Sequence, residues 1–325
     1  MKGGPDDTIL GPMERMRKAL VTGGAGFIGS NIVRRLLREG VADVVVLDNF
    51  SSGCRTNVEG LNVRVIDGDV RDSDAVADAT RGCDTVFHLA ASVGNARSIA
   101  DPLGDATANV LGTLTVLEAS RQENVTKIVY SSSAGIFGEL KTLPIREDHP
   151  VEPDTPYGCT KLAGEKLCLS YAKLYSMSAV CLRYFNVYGP MQRYDAYGNV
   201  IPIFVHQLLR GDSLTVFGDG EQTRDFVNVA DVAQANLQAA RARKVTGAFN
   251  IGSGTRVTVN ELVRLIEGAS GIRPSIRYAP PRDGDVRDSM ADISAARSAL
   301  EFEPTVGLAA GLAEYLTWAR QESSV

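Results

Sequence analysis

Residues 18–29 read KALVTGGAGFIG, and this stretch indicates how the chain folds. The apolar run Ala19–Val21 is typical of a buried parallel strand, and an apolar helical pattern begins at Phe27. The glycines between them fit G-x-G-x-x-G or G-x-x-G-x-x-G, with members Gly23, Gly24, Gly26 and Gly29. Such spacing predicts a tight turn between strand and helix, with the pyrophosphate of a dinucleotide on the free N–H groups of the helix.

A second strand pattern indicates which dinucleotide is bound. Val44–Leu47 ends in Asp48, about 20 residues beyond the glycines, where the dinucleotide motif places a carboxylate. A carboxylate there accepts hydrogen bonds from ribose hydroxyls and repels a 2′-phosphate, so the sequence favours NAD over NADP. On these residues alone, a glycine-rich turn without a ligand stays open as the alternative.

Composition is that of an ordinary soluble enzyme. The chain of 325 residues is 44% hydrophobic and 22% charged, which is enough for a sizeable core. A net charge of −5 without any basic block excludes an electrostatic footprint for nucleic acid. No apolar run has the length of a membrane span, and residues 1–16 do not resemble a signal peptide. We therefore expect a cytoplasmic protein with no membrane partner and a flexible leader over 1–16.

The cysteines give no sign of a metal site or of a disulfide framework. They are scattered without any C-x-x-C pair, and the three histidines do not cluster with them. We therefore expect free thiols and no bound metal.

Strand and helix patterns alternate from the glycine turn to a fifth strand at Lys127–Tyr130. This alternation predicts an α/β fold with a doubly wound parallel (Rossmann) sheet, whose ligands bind beyond the carboxyl ends of the strands. From about residue 185, glycines and prolines break the chain into shorter elements. We therefore expect an NAD-binding domain over 17–184, rejoined by parts of 226–256, and a smaller mixed α/β substrate-binding domain over 185–325.

A second group of residues indicates catalysis. The fifth strand runs into Ser131–Ser133, and a helix that begins at Pro156 carries Tyr157 and, four residues later and on the same face, Lys161. A phenol with an ordinary pKa near ~10 is not a base at neutral pH, but a nearby ammonium and a positively charged nicotinamide lower that pKa. We predict Tyr157 as the base, with Ser133 holding the substrate hydroxyl or sharing its proton. A surface Tyr-Lys pair is the alternative.

In combination, these motifs resemble a known family. The glycine turn, Asp48, His88–Ala91, Ser131–Ala134 and the Tyr157-Lys161 pair together are similar to the extended short-chain dehydrogenase/reductases. Within them, the chain resembles the UDP-galactose 4-epimerase family of nucleotide-sugar enzymes. The resemblance implies an isomerase with NAD bound tightly enough to copurify. It also implies a homodimer formed through the helices near 103–123 and 156–175.

The resemblance assigns the binding residues. NAD would contact the glycine turn and the ends of the following strands, at Gly23, Gly26, Phe27, Ile28, Gly29, Asp48, Asn49, Asp69, Val70, Leu89, Ala90, Ala91, Tyr157 and Lys161. The UDP-sugar would contact Ser133, Asn186, Asn199, Val200, Phe217, Arg224, Arg282 and Asp285. Two arginines opposite a diphosphate suit its charge, because planar guanidiniums bind phosphate in a bidentate manner.

Within this family, a few positions indicate which reaction follows oxidation of the sugar and which sugar is bound. Related 4,6-dehydratases carry Asp-Glu, and decarboxylases carry Glu, where this chain has Ala134-Gly135, so 4-epimerisation is the expected outcome. UDP-glucose/UDP-galactose is the first expectation for the substrate. UDP-N-acetylglucosamine stays open because the small Ser289 would admit an N-acetyl group, and UDP-glucuronate stays open because Arg193 would bind a C6 carboxylate. A non-catalytic NAD-sensing module is the alternative from another class, and the intact Tyr157-Lys161 pair argues against it.

Overall fold

The computed structural model describes residues 16–194, 198–281 and 286–322, so most of the predicted leader lies outside it. The strands are β1 (Lys18–Thr22), β2 (Asp43–Asp48), β3 (Arg64–Asp67), β4 (Thr85–His88), β5 (Lys127–Ser133), β6 (Ser178–Tyr184), β7 (Asn186–Tyr188), β8 (Leu214–Phe217), β9 (Thr223–Arg224), β10 (Phe226–Asn228), β11 (Gly247–Ile251), β12 (Val257–Thr258) and β13 (Ile276–Ala279). The helices are α1 (Phe27–Arg38), α2 (Ser73–Thr80), α3 (Asn95–Ala100), α4 (Pro102–Ala106), α5 (Gly112–Gln122), α6 (Pro156–Leu174), α7 (Val200–Arg210), α8 (Val229–Arg241), α9 (Val259–Ser270), α10 (Ser294–Leu300) and α11 (Leu308–Glu322).

A seven-stranded sheet in the order β11-β6-β5-β4-β1-β2-β3 forms the centre of the fold. Every neighbouring pair in it is parallel. The predicted α/β fold with a doubly wound parallel sheet is confirmed. The strand order reverses at β1, so the glycine turn that follows it lies at the topological switch point, where such sheets bind their ligands.

The central strands of the sheet are buried on both faces, because an apolar layer packs against each face. One layer packs α1 and α8 against the sheet, through side chains such as Ile32 and Val232. The other packs α2, α5 and α6 on the opposite face, through side chains such as Val76, Val116 and Cys168. The sheet therefore gives a rigid platform for whatever binds at its carboxyl edge.

The helix predicted near 103–123 differs from a regular α-helix. It runs from α4 through one π-helical turn, Thr107–Leu111, directly into α5. Such turns insert an extra residue and are frequent at functional sites. Here the π-helical turn directs Asn109 into the protein, where it is buried.

Most elements after β6 lie outside the seven-stranded sheet and form a second lobe. It contains three two-stranded pairs, β10-β7, β12-β9 and β13-β8, and an apolar core between α7, α9 and α11. The buried Asp225 carboxylate joins its segments, because it accepts hydrogen bonds from Ser253, Gly254 and Ala291. Within the described ranges, no helix is both long and apolar enough to cross a membrane.

Candidate active site

The glycine turn has the close packing that its spacing predicts. Gly23 has a φ of +67°, and a β-carbon on it would lie 2.8 Å from the backbone nitrogen of Ala90. A β-carbon on Gly29 would lie 2.1 Å from the carbonyl oxygen of Gly23, so α1 approaches the turn as closely as glycine allows. Gly26 caps α1 without a side-chain hydrogen bond, and Phe27 and Ile28 form its first turn. The N–H groups of this turn have no partner within the helix.

Asp48 lies at the adjacent strand end. Its carboxylate is 7% exposed and accepts hydrogen bonds from the N–H groups of Ala25 at 2.9 Å and Phe50 at 2.8 Å. Burial raises the pKa of Asp48, and these two bonds act in the opposite direction. A carboxylate can accept about four hydrogen bonds, so acceptor capacity is left for the hydroxyls of a ribose.

Asn49 and Asp69 meet beside Asp48. The Asn49 amide donates to Asp69 at 2.7 Å, and Arg71 donates to both oxygens of the same carboxylate. These bonds, those from Arg71 first, hold the pKa of Asp69 well below its usual range. Val70 is buried against Gly112 of α5 and therefore shapes the wall rather than contributing a polar group.

These features fit NAD on three counts. The glycine turn leaves room for a pyrophosphate that any β-carbon would fill, and the start of α1 offers N–H donors to it. The Asp48 carboxylate suits two ribose hydroxyls and would repel a 2′-phosphate. Leu89–Ala91 continue this cradle beyond the end of β4.

The structure brings the three predicted catalytic residues together. A β-carbon on Gly135 would lie 3.3 Å from Ser133 Oγ and 3.7 Å from the Tyr157 ring, so both side chains surround one point. Lys161 follows one turn later on α6, and its ammonium donates a 2.9 Å hydrogen bond to the Ser131 carbonyl. The helix starts at Pro156, which is favoured in a first turn, and Thr155 caps it through the N–H of Gly158.

Electrostatics at this site differ in part from the expectation. Burial raises the pKa of Tyr157 to about 12, although a hydrogen bond with Ser133 acts to lower it. Burial also lowers the pKa of Lys161 to about 8, whereas the charge of Asp105 acts to raise it. The protein groups alone therefore do not produce the lowered tyrosine pKa that the sequence predicts. A lowered pKa needs the positive charge of a bound nicotinamide in addition to Lys161.

His88 is a buried structural residue, as its position in the sequence suggests. Thr113 Oγ1 gives its proton to the Asn109 carbonyl at 2.6 Å, so its oxygen accepts from His88 Nε2 at 3.0 Å. His88 Nδ1 therefore accepts from Thr22 Oγ1 at 2.7 Å. Burial, followed by the charge of Lys161, lowers the pKa of His88 to about 3. The imidazole is accordingly neutral and is fixed in one tautomer.

Sequence reasoning missed a buried polar group beneath the catalytic helix. Asp105 of α4 is 1% exposed, and its Oδ2 accepts a 2.6 Å hydrogen bond from the Thr160 hydroxyl. Asn109 donates to the same hydroxyl at 3.0 Å and exchanges two hydrogen bonds with the backbone of Ser92. The only signal in the sequence is that Thr160 directly precedes Lys161.

A buried ion pair was missed as well. Arg183 of β6 binds the Glu165 carboxylate of α6 through bonds of 2.7 and 3.0 Å, and both side chains are almost fully buried. Ser132 donates to the same carboxylate at 2.9 Å. The ion pair therefore fixes α6 against β6, and the Ser132 bond fixes it against β5, the strand that carries Ser133.

The predicted substrate residues of the second lobe lie on several elements. Phe217 and Gln222 line a cavity of about 510 Å³ between β8 and the segment near Pro281. Asn186 donates to the Asp225 carbonyl at 3.0 Å, and Asn199 donates to the Val187 carbonyl at 3.2 Å, directly before Val200 begins α7. Arg224 lines a separate cleft of about 280 Å³ and donates to the Thr223 carbonyl. Arg282 and Asp285 lie outside the described residues.

Arg193 is engaged by contacts away from the predicted catalytic residues. Its guanidinium pairs with Glu322 of α11 at 3.0 Å and donates to Asn57 and Thr56 at 3.2 and 3.4 Å. Asn57 in turn donates to Ala25 of the glycine turn. These contacts lie on the side of the glycine turn and do not bring Arg193 to Ser133 or Tyr157.

Comparison with known proteins agrees with this site. Residues 19–252 match the NAD-dependent epimerase/dehydratase family. A putative UDP-glucose 4-epimerase of Methanocaldococcus jannaschii is 40% identical over 306 residues, which are 94% of this chain and 99% of that protein. The solved UDP-glucose 4-epimerase of Thermotoga maritima with UDP-glucose has a TM-score of 0.88 and 38% identity, covering 94% of this chain and 99% of its own. The UDP-N-acetylglucosamine 4-epimerase of Methanobrevibacter ruminantium M1, solved with UDP-N-acetylmuramic acid, has a TM-score of 0.90 and 34% identity, covering 95% and 99%.

Fold, cradle and sequence similarity thus lead to the same family. The similarity extends over nearly the whole chain and includes the glycine turn, Asp48 and the segment with Tyr157 and Lys161. The NAD predicted from the glycine spacing is the cofactor by which that family is described. This chain belongs to the NAD-dependent epimerase/dehydratase family.

Proposed function

We propose that the chain is a UDP-sugar 4-epimerase whose first substrate pair is UDP-glucose and UDP-galactose. Support comes from Ser133 and Tyr157, which surround one point, from Lys161 one helical turn later on α6, and from relatives that are themselves named 4-epimerases. Within a family that includes dehydratases, the decisive question is whether a further acid lies beside the sugar.

The observation that carries the proposal is Gly135. A side chain at this position would start 3.3 Å from Ser133 Oγ and 3.7 Å from the Tyr157 ring, the two groups that we assign to the C4 hydroxyl. The resemblance described above implies that dehydratases and decarboxylases of this kind carry an extra acid at this strand edge. Here the residues are Ala134 and Gly135, so no carboxylate projects from them toward a 4-keto sugar. Return of the hydride is then the step that remains.

The chain's own groups move the proton. Tyr157, as phenolate, takes the proton of the C4 hydroxyl, while Ser133 holds that hydroxyl by a hydrogen bond. Bound NAD supplies a reversible hydride acceptor for C4 and a positive charge beside the phenol. Lys161 is held by the Ser131 carbonyl one turn after Tyr157, and we propose that its ammonium favours the phenolate. When the 4-keto sugar has presented its other face, Tyr157 returns the proton as the hydride returns to C4, and the two half-reactions balance.

The second lobe is proposed to hold the nucleotide. The cavity beside Phe217 suits a nucleobase stacked on an aromatic ring. We assign the diphosphate to Asn186 and Arg224. Arg282 as a second arginine for the diphosphate and Asp285 as a ribose-binding carboxylate are retained as expectations from the sequence. In this proposal, residues 17–184 bind NAD and residues 185–325 bind the UDP-sugar. Strand β11 of the second range pairs with β6 and so belongs to the central sheet.

The choice of sugar rests on fewer observations. Ser289 is small and 8% exposed, a size that would also admit an N-acetyl group at C2. UDP-N-acetylglucosamine is therefore the second candidate, consistent with the relative that epimerises it. Arg193 is already bound by Glu322 and Asn57, so nothing in its contacts favours a uronate.

The test is a substrate panel without added NAD or reductant. Purified protein is incubated separately with UDP-glucose, UDP-N-acetylglucosamine and UDP-glucuronate, and the anomeric proton signals are followed by NMR. We expect UDP-galactose from UDP-glucose, at a higher rate than either other conversion. A 4-keto-6-deoxy product or a released carboxyl carbon would identify a dehydratase or decarboxylase instead. A protein that binds NAD and changes none of the three sugars would support the non-catalytic module.

Cofactor retention provides an independent check. An epimerase returns to the sugar the same hydride that it removed, so each turnover regenerates NAD and does not require its release. We expect NAD to copurify and to survive dialysis, as measured by release with acid and chromatography. Complete loss on dialysis would point to a dehydrogenase that exchanges its cofactor.

We also propose a homodimer formed through α3–α6. Leucines on this surface are exposed, with Leu103 at 78%, Leu111 at 54% and Leu174 at 68%. Val116 and Leu117 of α5, by contrast, are buried in the monomer's own core and cannot contribute to an interface. Exposed apolar side chains grouped on neighbouring helices are typical of a surface that a partner covers.

A further inference from the structure

We propose that Asp105 is a positioning residue for the Tyr157–Lys161 pair, acting through the Thr160 hydroxyl and through its own charge. This inference rests on the proposed function, because it concerns the same catalytic pair. Asp105 lies on α4, outside every motif that led to the site, and it touches neither Ser133 nor the glycine turn in any hydrogen bond of the described residues.

The Thr160 hydroxyl has two possible acceptors for its proton. It lies 2.6 Å from Asp105 Oδ2 and 3.1 Å from the Tyr157 carbonyl, and it has a single proton to give. The shorter, charge-assisted contact takes that proton. Asn109 donates to the remaining side of the oxygen at 3.0 Å. These two hydrogen bonds fix the side chain of Thr160, which lies between Tyr157 and Lys161 on α6.

The same polar chain continues to the cofactor cradle. Asn109 binds both the N–H and the carbonyl of Ser92, which directly follows Leu89–Ala91. Its own carbonyl accepts from Thr113, which in turn accepts from His88. One continuous chain of hydrogen bonds thus joins the catalytic helix to the strand end that lines the NAD site. The π-helical turn at 107–111 is what places Asn109 at its centre.

The position of Asp105 is unfavourable for stability alone. Its Oδ1 is buried and has no hydrogen-bond partner among the described residues, although a carboxylate can accept about four. A buried, incompletely bonded carboxylate costs free energy, and such groups in native proteins are often part of a site. A neutral acceptor would also accept the proton of Thr160, although in a weaker hydrogen bond. The charge is therefore the feature that needs a function.

The groups around Lys161 indicate a function for the charge of Asp105. Asp105 of α4 faces it, together with Cys168 of α6, the Tyr130 ring of β5 at 5.3 Å, and the neutral His88 of β4. Asp105 raises the pKa of Lys161 against the opposing effect of burial. It also raises the pKa of Tyr157, after burial. Its charge keeps the ammonium protonated at a buried site where a lysine would otherwise tend to be neutral.

Two variants separate the charge from the hydrogen bond. Asp105→Asn keeps an acceptor for Thr160 and removes the charge, and Thr160→Val keeps the charge and removes the hydrogen bond. Asp101→Asn, at the exposed N-cap of α4, and Thr115→Val, whose hydroxyl bonds the Leu111 carbonyl, are the matched controls.

The first measurement does not need turnover. Protein with ¹³Cε-labelled lysine is titrated by NMR, and the Lys161 signal is assigned by its loss in Lys161→Arg. Wild type and Asp101→Asn should give a pKa of about 8 for Lys161. Asp105→Asn should give a value roughly 1 unit lower, because it has lost a nearby opposite charge. Thr160→Val should leave the value unchanged.

The second measurement is the pH profile of kcat. In Asp105→Asn the alkaline limb should move to lower pH by the same amount as the NMR titration. In Thr160→Val the limb should stay in place while kcat falls roughly 10- to 100-fold through misplacement of the pair. Thr160→Ser should restore kcat, and Thr115→Val should match wild type.

The outcomes distinguish this inference from the proposed function. An unchanged Lys161 pKa in Asp105→Asn, with only a lower unfolding midpoint, would make Asp105 a purely structural residue and overturn the proposal. If no UDP-sugar is converted, the NMR titration still decides whether Asp105 controls Lys161. A shifted titration then supports the inference while the substrate assignment fails.

Discussion

Lys161 donates a 2.9 Å hydrogen bond to the carbonyl of Ser131, so the catalytic helix is bound directly to the strand that presents Ser133. The same bond leaves the ammonium two further donors. Burial lowers the pKa of this ammonium to about 8. The position of Lys161 and the direction of its pKa shift are therefore set by the fold before any ligand binds.

Tyr157→Phe should abolish epimerisation and leave the cofactor bound. The variant keeps the ring that packs beside Gly135 and loses only the hydroxyl that exchanges the proton. We expect a loss of roughly 10²–10⁴-fold in kcat, typical of a removed general base. NMR gives the rate, and acid release gives the NAD content. Equal rates in Tyr157→Phe and wild type would exclude Tyr157 as the base.

Gly29→Ala should remove the cofactor. The added β-carbon would lie 2.1 Å from the Gly23 carbonyl oxygen, so the start of α1 must shift away from the turn. Loss of two charge-assisted hydrogen bonds at about 1.5 kcal/mol each lowers affinity roughly 100-fold. Bound NAD per protein is the measurement. Gly268→Ala is the control, because nothing lies within 4 Å of its β-carbon on α9, and it should keep full NAD and gain stability.

The fold was largely predictable because its signals are local. Glycine spacing, strand length and helical periodicity place β1 and β2 within a residue or two of their observed bounds. The proximity of Ser133 and Tyr157 follows from a general rule, since parallel strands and their following helices meet at one sheet edge. Both predictions need only residues close in sequence or a property shared by all such sheets.

What the sequence could not predict depends on contacts between distant segments. Asp105 and Thr160 are separated by 55 positions, and no pattern in either segment indicates a 2.6 Å bond between them. The extra residue of the π-helical turn does not alter composition enough to be noticed. The raised pKa of Tyr157 likewise results from burial, which a spacing argument about Lys161 does not include.

Removal of one partner of the Glu165–Arg183 ion pair should destabilise the protein more than removal of both partners. Arg183→Met leaves a fully buried carboxylate without its partner and should cost about 3–5 kcal/mol in the free energy of unfolding by urea. The double variant Glu165→Met/Arg183→Met should be more stable than Arg183→Met alone, because no unpaired charge is left. In the exposed Arg297–Glu303 pair, Arg297→Met should cost less than about 1 kcal/mol. A single variant as stable as that control would contradict the argument.

Leu103→Glu should produce a monomer. Leu103 is 78% exposed in the single chain, and a charge at that position would be buried in the proposed interface of α3–α6. Sedimentation velocity should show a dimer for wild type and a monomer for the variant. Ile276→Glu, at an exposed apolar position of the second lobe, should stay dimeric. A monomeric wild type at all concentrations would overturn the proposed homodimer.

His88 should make the protein sensitive to acid. Burial lowers its pKa to about 3, whereas an unfolded histidine titrates near ~6.5, so between these values the unfolded state binds a proton that the folded state does not. The contribution of His88 to stability is complete above pH ~6.5 and is lost as the pH falls toward 3, by at most ~1.4 kcal/mol per pH unit. His88→Gln should be less stable at pH 7, because two buried hydrogen bonds are disturbed. Urea unfolding at several pH values should show its gap to wild type narrowing as the pH is lowered from 6.5 to 4. Parallel curves for the two proteins would mean that the buried imidazole does not titrate with unfolding.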